Sequence, residues 1–284
     1  MGVRYKLFVL LFLLALSGTV VFVTLELSPK NYLTVNFLDV GQGDAILIET
    51  THGGRILIDG GPGQAILTRL GEELPTLENK IDLVVATHDD ADHIVGLISV
   101  LENYEVGVLL TSIPSSNSTI SKRLFDLATS KNIKVVHITK PMIMKTSDGL
   151  IMKVLYPTKN MDSADDNYDG NTASIVTQFT YGQNRFLFTG DLYTLGERFL
   201  VSRYDTDLKS NILKLGHHGS DTSTSAEFLS KVDAEVAIVS AGANNSFGHP
   251  HPDVINLANK FGMQIFHTAS GTQTFYSNGV NIWK

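Results

Sequence analysis

An α/β (α+β) fold of two packed sheets flanked by helices, preceded by one apolar helix, is what the sequence predicts, and three observations carry it. Short β-rich runs alternate with amphipathic stretches from Leu33 to the C-terminus, which is the pattern of strands interleaved with helices. These strand-rich halves need their outer faces covered, and the helical stretches between them supply the cover. Clusters of His and Asp fall where strands end, as a site assembled from several loops requires. An apolar fraction of 43% is ample for a large core. Neither a short repeat nor a shift in composition divides residues 33–284, which are read as one domain.

Taken in order, Met1–Lys6 carries Arg4 and Lys6, and Leu7–Leu25 then runs without a charged residue over a length close to that of a bilayer span. Residues 1–27 are therefore expected to be an uncleaved signal anchor forming a transmembrane helix. Positive charge before the span and none closely after it places the bulk of the chain outside the cytoplasm, on a single-pass anchor in the cell membrane. The other reading is secretion after cleavage. Ala15-Leu16-Ser17 offers only a poor cleavage site, and the apolar run continues through Val20 to Val23. Residues 28–32, which include Pro29, serve as a linker.

Thr34–Asp39, Ala45–Glu49 and Arg55–Asp59 read as strands joined by Gly-rich turns, an antiparallel meander. Helices are expected at Gln64–Leu74, Ile94–Tyr104 and Thr119–Lys131, with a buried strand at Ile81–Ala86. A second series of strands follows at Leu150–Tyr156, Ser174–Tyr181, Arg185–Thr189, Asn211–Leu215, Glu235–Ser240, Gln264–Thr268 and Gly271–Tyr276. Helices at Tyr193–Tyr204, Ser225–Val232 and Pro252–Phe261 lie among them.

The run Thr87-His88-Asp89-Asp90-Ala91-Asp92-His93 packs imidazoles and carboxylates at the end of the Ile81–Ala86 strand. Nitrogen and oxygen donors together suit Zn²⁺, Mn²⁺ or Fe²⁺, whereas oxygens alone would suit Mg²⁺ or Ca²⁺. A polar turn capped by Asp92 would leave His88, Asp90 and His93 unexplained. Thr189-Gly190-Asp191, Gly216-His217-His218-Gly219-Ser220 and Gly248-His249-Pro250-His251-Pro252 also follow strands, so the four tips hold six of the nine histidines. Asp165-x-Asn167-x-Asp169-Gly170 imitates a calcium loop, but Val176 stands where the twelfth position needs Glu, which leaves a solvated loop. The net charge of −7 denies the chain a global attraction to nucleic acid, so a polyanion must be held by local cations or bound metal. With no cysteine in the chain, thiolate nucleophiles, disulfides and Cys-ligated zinc are excluded.

The order Phe37-Leu38-Asp39-Val40-Gly41-Gln42-Gly43-Asp44, Leu57-Ile58-Asp59-Gly60-Gly61, His88-x-Asp90-x-Asp92-His93, Thr189-Gly190-Asp191, His217-His218-Gly219-Ser220 and Gly248-His249-Pro250-His251-Pro252 resembles the metallo-β-lactamase-fold hydrolases. More narrowly, it resembles the soluble domain of ComEC-type competence proteins, which take up DNA. The resemblance covers Leu33 to the C-terminus. It implies a four-layer αββα sandwich with two divalent metal ions, Zn or Mn, along one edge. On that pattern His88 and Asp90 hold one metal, Asp92 and His93 the other, Asp191 bridges them, and His217 completes the second. Asp59 orients a ligand or a metal-bound water. His218, His249 and His251 stand as substrate contacts, a proton donor or supports of the ligands. Of these, His218 and His249 join Asp92 and Asp191 as the expected catalytic groups, and His251 joins Asp59 and Asn171 as supports. Two departures matter: Asp90 replaces a family His, and Asn171 stands where a further His would be, which softens the preference for zinc.

The resemblance and the donor set together imply an outward-facing phosphodiesterase, a nuclease that cleaves DNA with metal-bound hydroxide, in a DNA-uptake assembly. An esterase for phosphocholine or another small phosphodiester is the alternative within the fold. A membrane-tethered binding module with a degenerate site is the alternative from another class. The resembled transporters carry several further spans, so a transport role is not implied.

Overall fold

A computed structural model describes residues 2–26, 30–75, 78–112, 118–157 and 170–284. The calcium-loop imitation at 165–169 and much of the linker lie outside the described residues. In chain order the elements are α1 (Val3–Glu26), β1 (Leu33–Phe37), β2 (Ile46–Glu49), β3 (Arg55–Ile58), α2 (Ala65–Glu73), β4 (Lys80–Ala86), α3 (Ala91–Asn103), β5 (Glu105–Thr111), α4 (Thr119–Ser130), β6 (Lys134–His137), β7 (Met142–Lys145) and β8 (Ile151–Tyr156). After these come β9 (Val176–Tyr181), β10 (Asn184–Phe188), α5 (Thr194–Tyr204), β11 (Ile212–Lys214), α6 (Ala226–Val232), β12 (Val236–Val239), α7 (Pro252–Lys260), β13 (Gln264–His267), β14 (Gln273–Ser277) and β15 (Ile282–Trp283).

The strands form two sheets, ordered β15-β14-β1-β2-β3-β4-β5-β6 and β13-β12-β11-β10-β9-β8-β7. Side-chain alternation builds three apolar layers from them. Ile46, Ile48, Ile58 and Val85 face inward and meet Phe186, Phe188, Ile212 and Ile238 of the other sheet. Leu47, Leu57, Val84 and Leu109 face outward and pack under α2, α3 and α4 through Leu70, Ile94, Leu97 and Leu124. On the far side Leu187, Leu213, Ala237 and Val239 pack under α5, α6 and α7 through Leu200, Phe228, Leu229 and Val254. Burial on both faces explains why these strands read as nearly unbroken apolar runs. The layers are helix, sheet, sheet, helix, as expected.

The meander β1-β2-β3 is antiparallel. β3 through β6 are parallel, as are β10 through β13. The carboxyl ends of β4, β10, β11 and β12 carry the polar clusters, the position where α/β sheets gather ligands. Four strands were not expected from the sequence: β5, β6, β7 and β15. Gly107 interrupts β5, β6 and β7 are four-residue strands only partly buried at sheet edges, and β15 is two residues long. None of them offers a strong alternating pattern.

The membrane span expected at residues 1–27 is not supported. Among the described residues no helix is long and apolar enough to cross a membrane. α1 is a helix of 24 residues, and the side chains of residues 5–21 are described. Those side chains include Leu7, Phe8 and Phe12, all exposed.

Candidate metal centre

The site is built on Asp59, a wholly buried residue at the end of β3. Its Oδ1 accepts from the Thr87 backbone N–H at 2.9 Å, and its Oδ2 accepts from Thr87 Oγ1 at 2.7 Å and His93 Nδ1 at 2.8 Å. Because Thr87 Oγ1 donates its hydrogen bond to Asp59, it accepts from His88 Nδ1 at 3.0 Å. One carboxylate thereby orients both imidazoles of the β4–α3 run. The helix can approach that closely because Gly96 faces the turn; a Cβ there would lie 1.8 Å from the Gly60 carbonyl oxygen. Gly43 plays the same part on the other side, where a Cβ would lie 2.0 Å from the Asp92 carbonyl oxygen.

The second pair of imidazoles comes from the turn after β11. His217 and His218 both adopt left-handed backbone conformations, φ 48° and 56°, a strain that costs about 1–3 kcal/mol at each non-glycine residue. His218 Nδ1 donates to the Ser240 carbonyl at 2.8 Å. His217 Nδ1 donates to Thr222 Oγ1 at 2.9 Å, which in turn donates to Ser220 Oγ.

With every Nδ1 engaged, every Nε2 is left to face inward. All four point at one atom, Oδ2 of buried Asp191: His218 at 3.1 Å, His93 at 3.2 Å, His217 at 3.9 Å and His88 at 4.0 Å. His93 Nε2 and His218 Nε2 are 3.4 Å apart, and His218 Nε2 is 3.2 Å from Asp92 Oδ2. Asp90 caps α3 through its backbone but makes no side-chain cap bond, and its Oδ2 lies 3.6 Å from His88 Nε2. The buried His88 Nε2 has no hydrogen-bond partner, an omission native interiors rarely tolerate. A divalent cation would satisfy it, and the nitrogen and oxygen donors around it fit one.

Two residues that the sequence reading gave no role sit beneath this cluster. Lys214, with no exposure, extends its ammonium 2.5 Å from Asp44 Oδ2, 3.4 Å from Asp191 Oδ1 and 3.0 Å from the Gly190 carbonyl. Asp44 Oδ1 approaches His218 Nδ1 at 3.4 Å. Ligand atoms of Asp44, His93, Asp191 and His218 lie within 4.8 Å of one another. Asp44, however, meets the rear nitrogen of His218 and the ammonium, so it orients those groups and leaves the inward face to the others. Both residues had a signal. Lys214 is a charge inside the apolar run Ile212–Leu215, and Asp44 directly precedes a buried strand.

Electrostatics follow the geometry. Burial opposes charge on Asp191, yet His218, His93 and Lys214 outweigh it and hold this carboxyl well below its usual range. Burial likewise opposes charge on His93 and His218, but Asp191 and the neighbouring carboxylates raise both well above ordinary imidazole. For Asp92 and Asp44 the pull of His218, His93 and Lys214 overcomes desolvation and lowers both. Burial pushes His217 and His249 down. The carboxylates around Asp191 therefore favour positive charge on His93 and His218, the same charge preference that suits a divalent cation.

The remaining expected residues lie further out. Asn171 Nδ2 donates to the Tyr193 hydroxyl at 3.0 Å, and the Tyr193 ring packs 5.7 Å from that of His217. The His249 ring stands at the rim, 5.3 Å from His217 and 6.1 Å from His218. His251 does not enter the cluster: its Nδ1 accepts from the Asp253 backbone N–H and caps α7. The resemblance makes His217 a ligand and leaves the role of His218 open; of the two, His218 lies closer to Asp191 Oδ2 and is the more buried.

Residues 54–210 match the family described as the beta-lactamase superfamily domain. The chain belongs to this superfamily. Within it, the chain is 29% identical over 268 residues to ComE operon protein 3 of Bacillus subtilis, covering 88% of this chain and 34% of that protein. It is 31% identical over 247 residues to competence protein ComA of Neisseria gonorrhoeae, covering 86% of this chain and 32% of that one. The chain thus spans about a third of the length of these relatives. The metallo-beta-lactamase fold protein YhfI from Bacillus subtilis superposes with a TM-score of 0.57 at 12% identity, over 87% of this chain and all of the other. Membership in the superfamily, with competence proteins among the relatives, agrees with the resemblance carried by the strand-end motifs.

Proposed function

We propose that this beta-lactamase superfamily member is a metal-dependent phosphodiesterase that cleaves DNA, held at the outer face of the cell membrane by residues 1–27 and joined through 28–32 to a catalytic domain at 33–284. The observation that carries the hydrolase reading is the convergence of four imidazole Nε2 atoms on Asp191 Oδ2. Two divalent cations held there, Zn²⁺ or Mn²⁺, would supply positive charge for a phosphoryl oxygen and a water that ionises near neutral pH. His88, Asp90 and Asp191 would hold one, and Asp92, His93, His218 and Asp191 the other. His217 would stand at the open side.

The chain's own groups do the rest. Asp59 fixes His88 and His93 through one hydrogen-bonded chain, and Ser240 with Asp44 fixes His218. His249, half-buried at the rim, is placed to give a hydrogen bond or a proton to a leaving oxygen. A phosphodiester benefits most from such a site, because attack adds charge to a centre that is already anionic. The chain's overall negative charge does not attract a polyanion, so local cations or bound metal must hold it. DNA as substrate and a DNA-uptake assembly as partner draw support from the competence proteins among the relatives. Anchoring draws support from the exposed apolar side chains of α1 and from Ser17 and Thr19, whose hydroxyls bond to carbonyls of the same helix.

The test is a substrate panel of single- and double-stranded DNA, RNA, a phosphocholine ester and nitrocefin, run with Mn²⁺ and Zn²⁺ in turn on the metal-stripped protein. Metal-dependent cleavage of DNA is expected. Cleavage of the phosphocholine ester alone moves the assignment to a small-ester phosphodiesterase, and metal uptake with no hydrolysis makes the chain a binding module. Protease added to wall-stripped cells tests the topology: digestion of the catalytic domain supports an outward site, and protection under conditions that cut a known external domain removes it.

A further inference from the structure

Lys214 is an anomaly for a site that collects cations. It ends β11 on the inward face, in line with the apolar Ile212, and is wholly buried. Its ammonium touches the very carboxylate on which the imidazoles converge. The two oxygens of Asp191 consequently have different neighbours: Oδ1 faces Lys214 at 3.4 Å, and Oδ2 faces four imidazole nitrogens. Asp44 Oδ2 and the Gly190 carbonyl hold the ammonium from the other sides.

We propose that Lys214 is a positioning residue which reserves Oδ1 of Asp191, so that two cations in this site must share the single atom Oδ2. The inference rests on the proposed metal site. A free carboxylate could chelate one ion with both oxygens, or give one oxygen to each ion and hold them further apart. With Oδ1 reserved, neither arrangement is open, and the ions are brought close through one oxygen. The competing account gives Lys214 only the task of neutralising Asp44 and Asp191 in a buried setting. The two accounts differ in sign. Removing a positive charge strengthens binding of a divalent cation nearby if charge is all that matters, whereas losing the positioned oxygen weakens it.

The experiment compares the full chain with Asp44→Asn, which reads the loss of Asp44 alone, with Lys214→Met, and with Lys214→Met/Asp44→Asn, which removes one positive and one negative charge and leaves the net charge of the site unaltered. Bound Mn²⁺ is counted by elemental analysis, its affinity is measured against a chelator, and coupling between paired Mn²⁺ ions is read by electron paramagnetic resonance. The double variant is expected to melt as a folded protein and to bind the second ion about 10–100-fold more weakly than Asp44→Asn, the usual effect of losing a group that orients a ligand. Its exchange-coupled signal should disappear. Wild-type stoichiometry and coupling in the double variant, or tighter binding in Lys214→Met, would overturn the positioning role while leaving the metal site standing. A wild-type chain that takes up no Mn²⁺ or Zn²⁺ removes the metal reading itself. Should the variants not fold, a structure of the Mn²⁺-loaded wild type decides: Oδ2 shared by both ions with Oδ1 on Lys214 is expected, and one oxygen on each ion overturns the proposal.

Discussion

The inner and outer halves of the metal centre are built differently. His93, His218 and Asp191 have side chains no more than 2% exposed, and each is held from behind, by Asp59, by Ser240 with Asp44, and by Lys214. Asp90, Asp92 and His217 have side chains 48%, 27% and 21% exposed, and His249 stands beyond them at the rim. A buried imidazole whose Nδ1 is committed can present Nε2 in one orientation only. An exposed carboxylate keeps its rotamers. The inner half therefore determines where cations sit, and the outer half adjusts how tightly they are held and what they meet.

If that division is right, the largest loss comes from the atom at its centre. Asp191→Ala should lose both metal occupancy and activity while the domain still folds, checked by elemental analysis beside circular dichroism. Near-wild-type turnover with full metal content would take Asp191 out of the site. The neighbouring histidines then separate the halves directly: His218→Ala is expected to cost at least ~100-fold in affinity for one ion, whereas His217→Ala should retain both ions with a loss of about 10-fold or less. Equal losses would mean that depth does not govern ligation here. Next comes Asp59→Asn, which keeps the shape but offers an amide where His93 and Thr87 both need an acceptor. Metal affinity should drop ~10–100-fold, and a titration by calorimetry measures it.

Protonation gives a milder test of the same contrast. Without metal, His93 and His218 carry raised pKa values because Asp191 and its neighbours outweigh the burial that opposes their charge. Both must shed a proton before they can ligate, so loading should release protons and metal affinity should rise with pH. Linkage also fixes the direction for stability. A raised imidazole value contributes stability that is full below the unfolded value of 6.5 and is lost as pH rises through the folded one. The metal-free protein should therefore melt progressively lower on the alkaline side of neutrality, and the loaded protein should not track it. Parallel melting profiles of the two forms would show that these histidines are not the groups the metal displaces.

The same contrast explains what could be read from the sequence. The outward and inward faces of β2, β3, β4, β10 and β11 were legible because each is buried on both sides, and the motifs at their ends announced the site. Depth within the site was not legible. His217 and His218 are adjacent in sequence, and only the left-handed turn decides which of them reaches Asp191. Lys214 carries its function from inside a strand, where a charge reads as an exception until its partners Asp44 and Asp191 are seen to arrive from two other loops. His251 shares a motif with His249, yet its ring points along α7 to cap it. Edge strands such as β6 and β7, half exposed, left too little pattern to read.

The smallest effect separates that last pair of histidines. His251 Nδ1 accepts from the Asp253 backbone N–H at 3.3 Å, and its Nε2 lies 4.0 Å from Asp221, so the ring serves a helix end and a solvent-exposed carboxylate. Replacing a side chain that caps a helix costs about 1 kcal/mol, and less when the bond is as long as this one. In a domain of this size that is a fall of roughly 2 °C or less in melting temperature. His251→Ala should show that small fall and otherwise bind metal and turn over as the wild type does. His249→Ala should do the opposite, melting normally while losing turnover, because its ring packs against those of His217 and His218. A loss of metal in His251→Ala would place that residue among the ligand supports, and the rim would then extend two residues further along Gly248–Pro252 than the hydrogen bonds indicate.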